Sequence, residues 1–133
     1  MEEKIIYKDL SYKINGLIFQ VHKDLGIYRN EKQCSDYFEK LLIKNNIKYI
    51  REYRFIDQQY GNKQVRCVVD FIIEGKIVLE FKSKNFITNE DYYQTQRYLV
   101  TLNLRLGVLV NFRQYRVTPK RVINKHYREK III

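Results

Sequence analysis

The sequence predicts an α/β fold in which a mixed sheet with an antiparallel meander is flanked by helices. Two segments with helical spacing of apolar residues come first, and three strand-like segments joined by short turns follow them. A further helix and a nearly unbroken apolar run come next. Such elements share a core when the helices pack on the sheet, and the length and 45% apolar content suffice for one domain over residues 1–133.

The first two predicted helices occupy the amino-terminal third of the chain. Apolar residues recur at helical spacing over residues 10–25, where Ser11 is the candidate cap and Gly26 ends the run. The second helix is expected over residues 31–45. Thr88 or Asn89 is the candidate cap of a third helix that is expected to reach about Leu102.

Strand periodicity begins after residue 46. Three strands joined by turns at 60–63 and 74–76 are expected in succession: 47–60, 65–73 and 77–82. The apolar run 106–112 is typical of a buried strand, and a last strand is expected over 115–123.

Net charge, cysteine content and hydropathy indicate which partners and which cellular compartment to expect. Twenty-five Lys and Arg against fifteen Asp and Glu give a net charge of +10, which is typical of proteins that bind phosphate-rich partners. Solubility or contact with an acidic protein would also explain it. Cys34 and Cys67 lack zinc-site spacing and disulfide density, so reduced thiols are expected. Without a signal-like start or a membrane-length apolar run, we expect a cytoplasmic protein with no membrane contact.

The turn at Gly75 predicts a pair of facing carboxylates. Residues equally distant from Gly75 pair across the hairpin, so Asp70 lies opposite Glu80 with the Cβ atoms about 5 Å apart. Like charges at this distance repel unless a cation bridges them or one carboxyl holds a proton. The other face of the hairpin, from Val69 to Phe81, is expected to be wholly apolar.

Lys82 follows Glu80 by two residues and therefore projects from the same face. Asp70, Glu80 and the backbone carbonyl of Phe81 would hold Mg²⁺, or alternatively Mn²⁺, and leave positions for water and a phosphate oxygen. The cation would polarise the phosphate and acidify the water, with Lys82 as a catalytic group. The alternative is a solvated hairpin face on which Lys82 forms an ion pair.

Four segments carry a resemblance to a known family, in matching order and spacing: 21–26 (VHKDLG), 69–73 (VDFII), 78–82 (VLEFK) and 107–112 (GVLVNF). Over about residues 14–112 the chain resembles the GxxExxY protein family, a group of small proteins placed in the PD-(D/E)XK nuclease superfamily. In the motif that gives the family its name, Glu31 is kept, whereas Tyr28 replaces the Gly and Cys34 replaces the Tyr. Val69 replaces the superfamily's Pro.

The resemblance implies a restriction-endonuclease-like (PD-(D/E)XK) core and a metal-dependent nuclease acting on nucleic acid, DNA in the first place. It also implies that Glu31 reaches the metal or its water shell; the alternative is a helix-start acid that favours the dipole. Gln94 and Tyr98 match the family's Gln-x-x-x-Tyr and share one helix face. Gln94 would orient water or phosphate, and Tyr98 would hydrogen-bond the nucleic-acid backbone. A polar surface stripe and a core edge are the respective alternatives.

The carboxy-terminal segment interleaves basic and aromatic residues, a composition that suits phosphates and exposed bases. Its candidate nucleic-acid contacts are Arg113, Arg116, Lys120 and Arg121. Charges that protect an edge strand from aggregation are the alternative. A noncatalytic nucleic-acid-binding or protein-interaction module that retains the fold is the competing function, and assembly as a homodimer is left open.

Overall fold

The computed structural model describes residues 5–60 and 63–129 and contains two helices, a meander, a third helix and two further strands. In chain order the elements are α1 (Lys8–Leu25), α2 (Glu31–Lys44), β1 (Tyr49–Tyr60), β2 (Lys63–Ile73), β3 (Ile77–Lys82), α3 (Asn89–Leu102), β4 (Leu106–Asn111) and β5 (Lys120–Ile123). The predicted order of helices and strands is confirmed.

One five-stranded sheet holds the strands in sequence order, from β1 to β5. The β1–β2, β2–β3 and β4–β5 pairs are antiparallel, and β3 and β4 are parallel. Parallel neighbours need a long crossover, which α3 supplies. Helices α1 and α2 pack on one face of the sheet and α3 on the other, so the predicted mixed sheet flanked by helices is confirmed.

Phenylalanines fill the core between the sheet and the α1–α2 pair. Phe38 of α2 meets Phe71 and Phe81 edge-on, with ring centroids 5.1 Å apart in both pairs. Phe81 contacts Phe112 in the same geometry at 4.9 Å. These contacts fix α2 against the strands that carry the acidic residues Asp70 and Glu80, so the position of the α2 amino terminus relative to the acids is set by packing.

The two faces of the β1–β2 hairpin exchange at Glu52 and Asp70. Phe71 packs on the α1–α2 side, whereas Val69 packs with the α3-side cluster, although residues two apart in a strand normally share a face. The register passes from the pair at Phe71 to the pair at Val69, and Glu52 between them has a φ of 54°. The prediction that Val69 and Phe71 share one wholly apolar face is therefore wrong, because the hairpin beyond Glu52 and Asp70 presents its side chains to the opposite faces of the sheet.

Two predicted boundaries are also wrong. Helix α1 begins at Lys8, after Tyr7 in the left-handed conformation, so Ser11 lies inside the helix and does not cap it. The last strand is Lys120–Ile123 and not 115–123, because residues 112–119 form a turn, a bend and an irregular stretch. This stretch ends at Pro119, which has no backbone N–H for a ladder. Residues 61 and 62 of the predicted first hairpin turn lie outside the described residues.

Both cysteines, Cys34 and Cys67, are buried free thiols. Among the helices of the described segments, none combines the length and apolar character that a membrane crossing requires.

Candidate functional site

The acidic pair lies where β2 and β3 separate. Backbone pairing covers Phe71–Leu79 to Ile73–Ile77, the register that a turn about Gly75 predicts. At Asp70 and Phe81, beyond the last backbone pair, the N–H groups donate to side-chain carboxylates and not to backbone carbonyls. The N–H of Asp70 donates to Glu80 Oε1 at 3.1 Å, and the N–H of Phe81 donates to Asp70 Oδ2 at 2.7 Å. The structure thus brings Asp70 and Glu80 together on neighbouring antiparallel strands.

Burial and mutual repulsion disfavour the charged forms of both acids. Burial raises the pKa of Glu80 to about 8, and the neighbouring charge of Asp70 adds to the effect. Burial also raises the pKa of Asp70, with further contributions in the same direction from Glu31 and Glu52. The ammonium of Lys82 acts in the opposite direction on both pKa values. At neutral pH the pair therefore favours a bound proton or a cation.

The backbone of β3 directs a carbonyl toward the same place. The carbonyl of Lys82 accepts the N–H of Phe112, so the polar backbone groups of Lys82 face β4. Adjacent residues of an extended strand direct these groups to opposite edges, so those of Phe81 face β2. The bond from Phe81 N–H to Asp70 agrees with this. The carbonyl of Phe81 is thus on the side of the acidic pair.

These donors fit a hard divalent cation. Within residues 5–60 and 63–129, no three His, Cys, Asp or Glu side chains converge as a metal site. Two carboxylates and a carbonyl are all oxygen donors, and Mg²⁺ commonly binds one or two carboxylates and keeps several waters. A cation would also offset the repulsion between Asp70 and Glu80. Glu31, the exposed first residue of α2, acts on the pair through its charge.

A sequence model of the PD-(D/E)XK nuclease superfamily matches residues 8–123. The chain belongs to this superfamily. Its nucleases act on nucleic acid and generally use divalent metal ions. The acidic pair and Lys82 therefore lie within a nuclease-superfamily domain.

A solved structure has a similar fold. A solved structure titled "Crystal structure of SSO0001" is similar with a TM-score of 0.58 and 21% sequence identity. The likeness covers 90% of this chain and 61% of that chain, and at this identity it shows the fold alone. No curated protein matches the chain.

The two residues of α3 that were predicted to belong to the site, Gln94 and Tyr98, differ in exposure. Gln94 is half-buried, whereas only 8% of Tyr98 is exposed. The Tyr98 ring meets Phe55 edge-on at 5.2 Å, and its hydroxyl is a hydrogen-bond partner of Cys67. Burial and the charge of Glu80 raise the pKa of Tyr98. This packing favours the alternative in which Tyr98 lies at the edge of the core, close enough to Glu80 for the charge of that carboxylate to act on it.

The four basic residues predicted to contact nucleic acid do not form one surface cluster. Arg113 and Arg116 are exposed in the turns that follow β4. The ammonium of Lys120 lies 4.9 Å from the Tyr92 ring centroid, on the α3 side of the sheet. Arg121 is half-buried and donates to the carbonyl of Ile6 at 3.3 Å, near α1. Adjacent strand residues point to opposite faces, so the structure does not bring Lys120 and Arg121 together.

Sequence reasoning missed two residues that lie close to the candidate site. Glu52 adds charge beside Asp70, but its left-handed conformation depends on the folded hairpin and has no signature in the sequence. Asn111 is buried; its amide group donates to the carbonyl of Lys84 at 2.8 Å and accepts from the N–H of Lys84 at 3.1 Å. Asn111 interrupts the apolar run 106–112, and a polar residue at a position expected to be buried indicates that its side chain has hydrogen-bond partners.

Proposed function

We propose that the chain is a nuclease that hydrolyses phosphodiester bonds in nucleic acid, DNA in the first place, with a water bound to Mg²⁺ or Mn²⁺. The observation that carries the proposal is the meeting of Asp70 and Glu80 at the separation of β2 and β3, with Lys82 beside them. Superfamily membership supports the chemistry. Within the superfamily, the order and spacing of the four motif segments favour the GxxExxY group.

Each residue of the proposed site has a distinct role. Asp70, Glu80 and the Phe81 carbonyl would hold the cation, and Glu31 would contact its water shell. When bound, the cation polarises the scissile phosphate and acidifies a coordinated water. Lys82 would accept or orient the proton of the attacking water. Gln94 would orient water or phosphate from α3.

The substitution Lys82→Ala tests the chemistry. It should reduce the cleavage rate by about 10²–10⁴-fold, because a residue that positions or deprotonates the attacking water commonly contributes that much. Nucleic-acid affinity should change little, because Lys82 is one of twenty-five basic residues. Cleavage of supercoiled, linear, branched and single-stranded substrates is measured with Mg²⁺, Mn²⁺ or EDTA.

The control is Lys13→Ala, which removes an equal charge from the exposed surface of α1 and should cleave like the wild type. Cleavage by Lys82→Ala at the wild-type rate would refute the role given to Lys82. Binding without cleavage of every substrate by the wild type would favour the noncatalytic module.

A further inference from the structure

Three loops at one end of the sheet each present a strongly exposed aromatic side chain. Tyr28, in the loop 26–30 between α1 and α2, is 90% exposed. Phe86, in the loop 83–88 between β3 and α3, is 78% exposed. Tyr115, in the segment 112–119 between β4 and β5, is 86% exposed. A single exposed ring is ordinary on a protein surface, so the case for a binding surface depends on how the three loops are placed.

The first two loops are joined to each other and to the acidic pair. The Ser83 hydroxyl donates to the carbonyl of Arg29, which follows Tyr28, at 2.8 Å. Loop 83–88 begins directly after Lys82, and loop 26–30 ends directly before Glu31. Both exposed rings therefore lie on loops that lead into residues of the proposed site.

The third segment is held at the same end of the molecule. The His22 ring and the carbonyl of Gln114, which precedes Tyr115, are hydrogen-bonded at 2.7 Å. Asn111 ends β4 opposite Lys82, and its side chain holds the backbone of Lys84. We call Tyr28, Phe86 and Tyr115 the aromatic rim.

The charge of the three loops indicates what the aromatic rim binds. Residues 26–30, 83–88 and 112–119 contain four basic residues and no Asp or Glu: Arg29, Lys84, Arg113 and Arg116. Lys84 forms an ion pair with Asp91, and the guanidinium-bearing Arg113 and Arg116 are exposed on either side of Tyr115. Cations interleaved with exposed rings complement a strand of phosphates and accessible bases.

We propose that the site takes nucleic acid with unpaired bases next to the scissile phosphate, and that the aromatic rim stacks on those bases. The proposal rests on the proposed function and specifies its substrate class. Bases of a continuous duplex are stacked on one another, so their faces are closed to a side chain, whereas a single strand offers every base face. Stacking tolerates all four bases, so the preference is for structure and not for sequence.

Binding in EDTA measures this preference without cleavage. The wild type should bind a labelled single-stranded oligonucleotide more tightly than the blunt duplex of the same sequence. Tyr28→Ala, Phe86→Ala and Tyr115→Ala should each weaken single-strand binding by about 5- to 150-fold, the usual range for loss of one stacked base. They should change duplex affinity much less. Quenching of 2-aminopurine placed in the strand should report the stacking and decline in the same variants.

The matched control is Tyr12→Ala, because Tyr12 is 83% exposed on α1 and lies outside the three loops. It should bind like the wild type. Tyr28→Phe, Phe86→Tyr and Tyr115→Phe keep an aromatic ring and should retain affinity and quenching. Their retention separates stacking from any loss of folded structure, which thermal melting of each variant also monitors.

Equal affinity for duplex and single strand, or rim Ala variants that bind like Tyr12→Ala, would overturn the proposal. The latter result would mean that the exposed rings do not contact nucleic acid. Rim-dependent binding without cleavage would support the stacking and refute the proposed hydrolysis. Cleavage that requires Lys82 but not the rim would refute the stacking and leave the hydrolysis standing.

Discussion

The carboxylates of Asp70 and Glu80 each accept a hydrogen bond from the backbone and also belong to the proposed metal site. A carboxylate has two oxygens, so it can accept a backbone N–H and still contact a cation. The bonds from the N–H groups of Asp70 and Phe81 hold these carboxylates in place. Glu80 is buried and Asp70 is half-buried beside it, and the pKa values of both carboxyl groups are raised.

The raised pKa of Glu80 predicts that the metal-free protein loses stability as the pH rises. Its pKa is about 8 in the folded state against an ordinary value of 4.5, so between these pH values the folded state holds a proton that the unfolded chain has lost. The free energy of unfolding should then fall with pH, by up to about 1.4 kcal/mol per pH unit. Asp70 contributes with the same sign. Urea unfolding in EDTA from about pH 5 to about pH 8 measures the slope.

Glu80→Gln should flatten this slope, because the amide does not ionise. Glu90→Gln, at an exposed position near the start of α3, is the control and should leave the slope unchanged. Asp70 should leave a shallower slope in Glu80→Gln, whereas a slope as steep as that of the wild type would assign the pH dependence to groups other than Glu80.

At the scale of elements, α3 packs closely against β4 at Gly107. A Cβ at this position would lie 2.9 Å from Thr95 Cγ2 and 3.3 Å from Leu99 Cδ1. Gly107→Ala should therefore destabilise the fold by about 1–3 kcal/mol, the usual cost of overpacking. Gly16→Ala is the matched control, because its Cβ meets nothing within 4 Å and Ala favours the α1 helix by about 0.5–1 kcal/mol.

Urea midpoints of both variants measure the difference. An unchanged midpoint for Gly107→Ala would mean that α3 moves away from β4 at little cost. Cleavage should also decline in that variant, because the same helix carries Gln94.

Most elements could be predicted because their signals are local. Thr88 caps α3 by accepting the N–H of Asp91, and a tight turn at Gly75 is enough to bring Asp70 beside Glu80. The features that escaped prediction depend on contacts distant in sequence. The conformation of Glu52 requires the completed hairpin, and the burial of Tyr98 requires Phe55 from another strand. Exposure of the aromatic rim cannot be derived from residue type, because Phe is buried elsewhere in the same chain.

Over the whole molecule, the net charge of +10 predicts that binding to nucleic acid weakens steeply with salt. Each neutralised phosphate of a single strand releases condensed counterions and adds about −0.7 to the slope of log affinity against log salt. Replacing both Arg113 and Arg116 by Ala should make the slope shallower by about 1.4, because two phosphate contacts are lost. Fluorescence anisotropy in EDTA across a salt series measures it.

The control replaces Lys8 and Lys13, two exposed basic residues of α1, by Ala and so removes the same charge away from the aromatic rim. Its slope should stay close to that of the wild type. Equal slopes for both double variants would mean that the strand does not pass along residues 112–119, and a flat wild-type dependence would remove the electrostatic argument.

The bonds that Asp70 and Glu80 accept from the backbone have an evolutionary consequence. A lineage that no longer needs to cut nucleic acid would still require an acceptor for the N–H groups of Asp70 and Phe81, because buried donors without partners are costly. Purifying selection for folding would then preserve the acids after selection for cleavage has ended. The side chain of Lys82 takes part in neither bond, so after the proposed hydrolysis is lost, its replacement would leave both backbone donors satisfied.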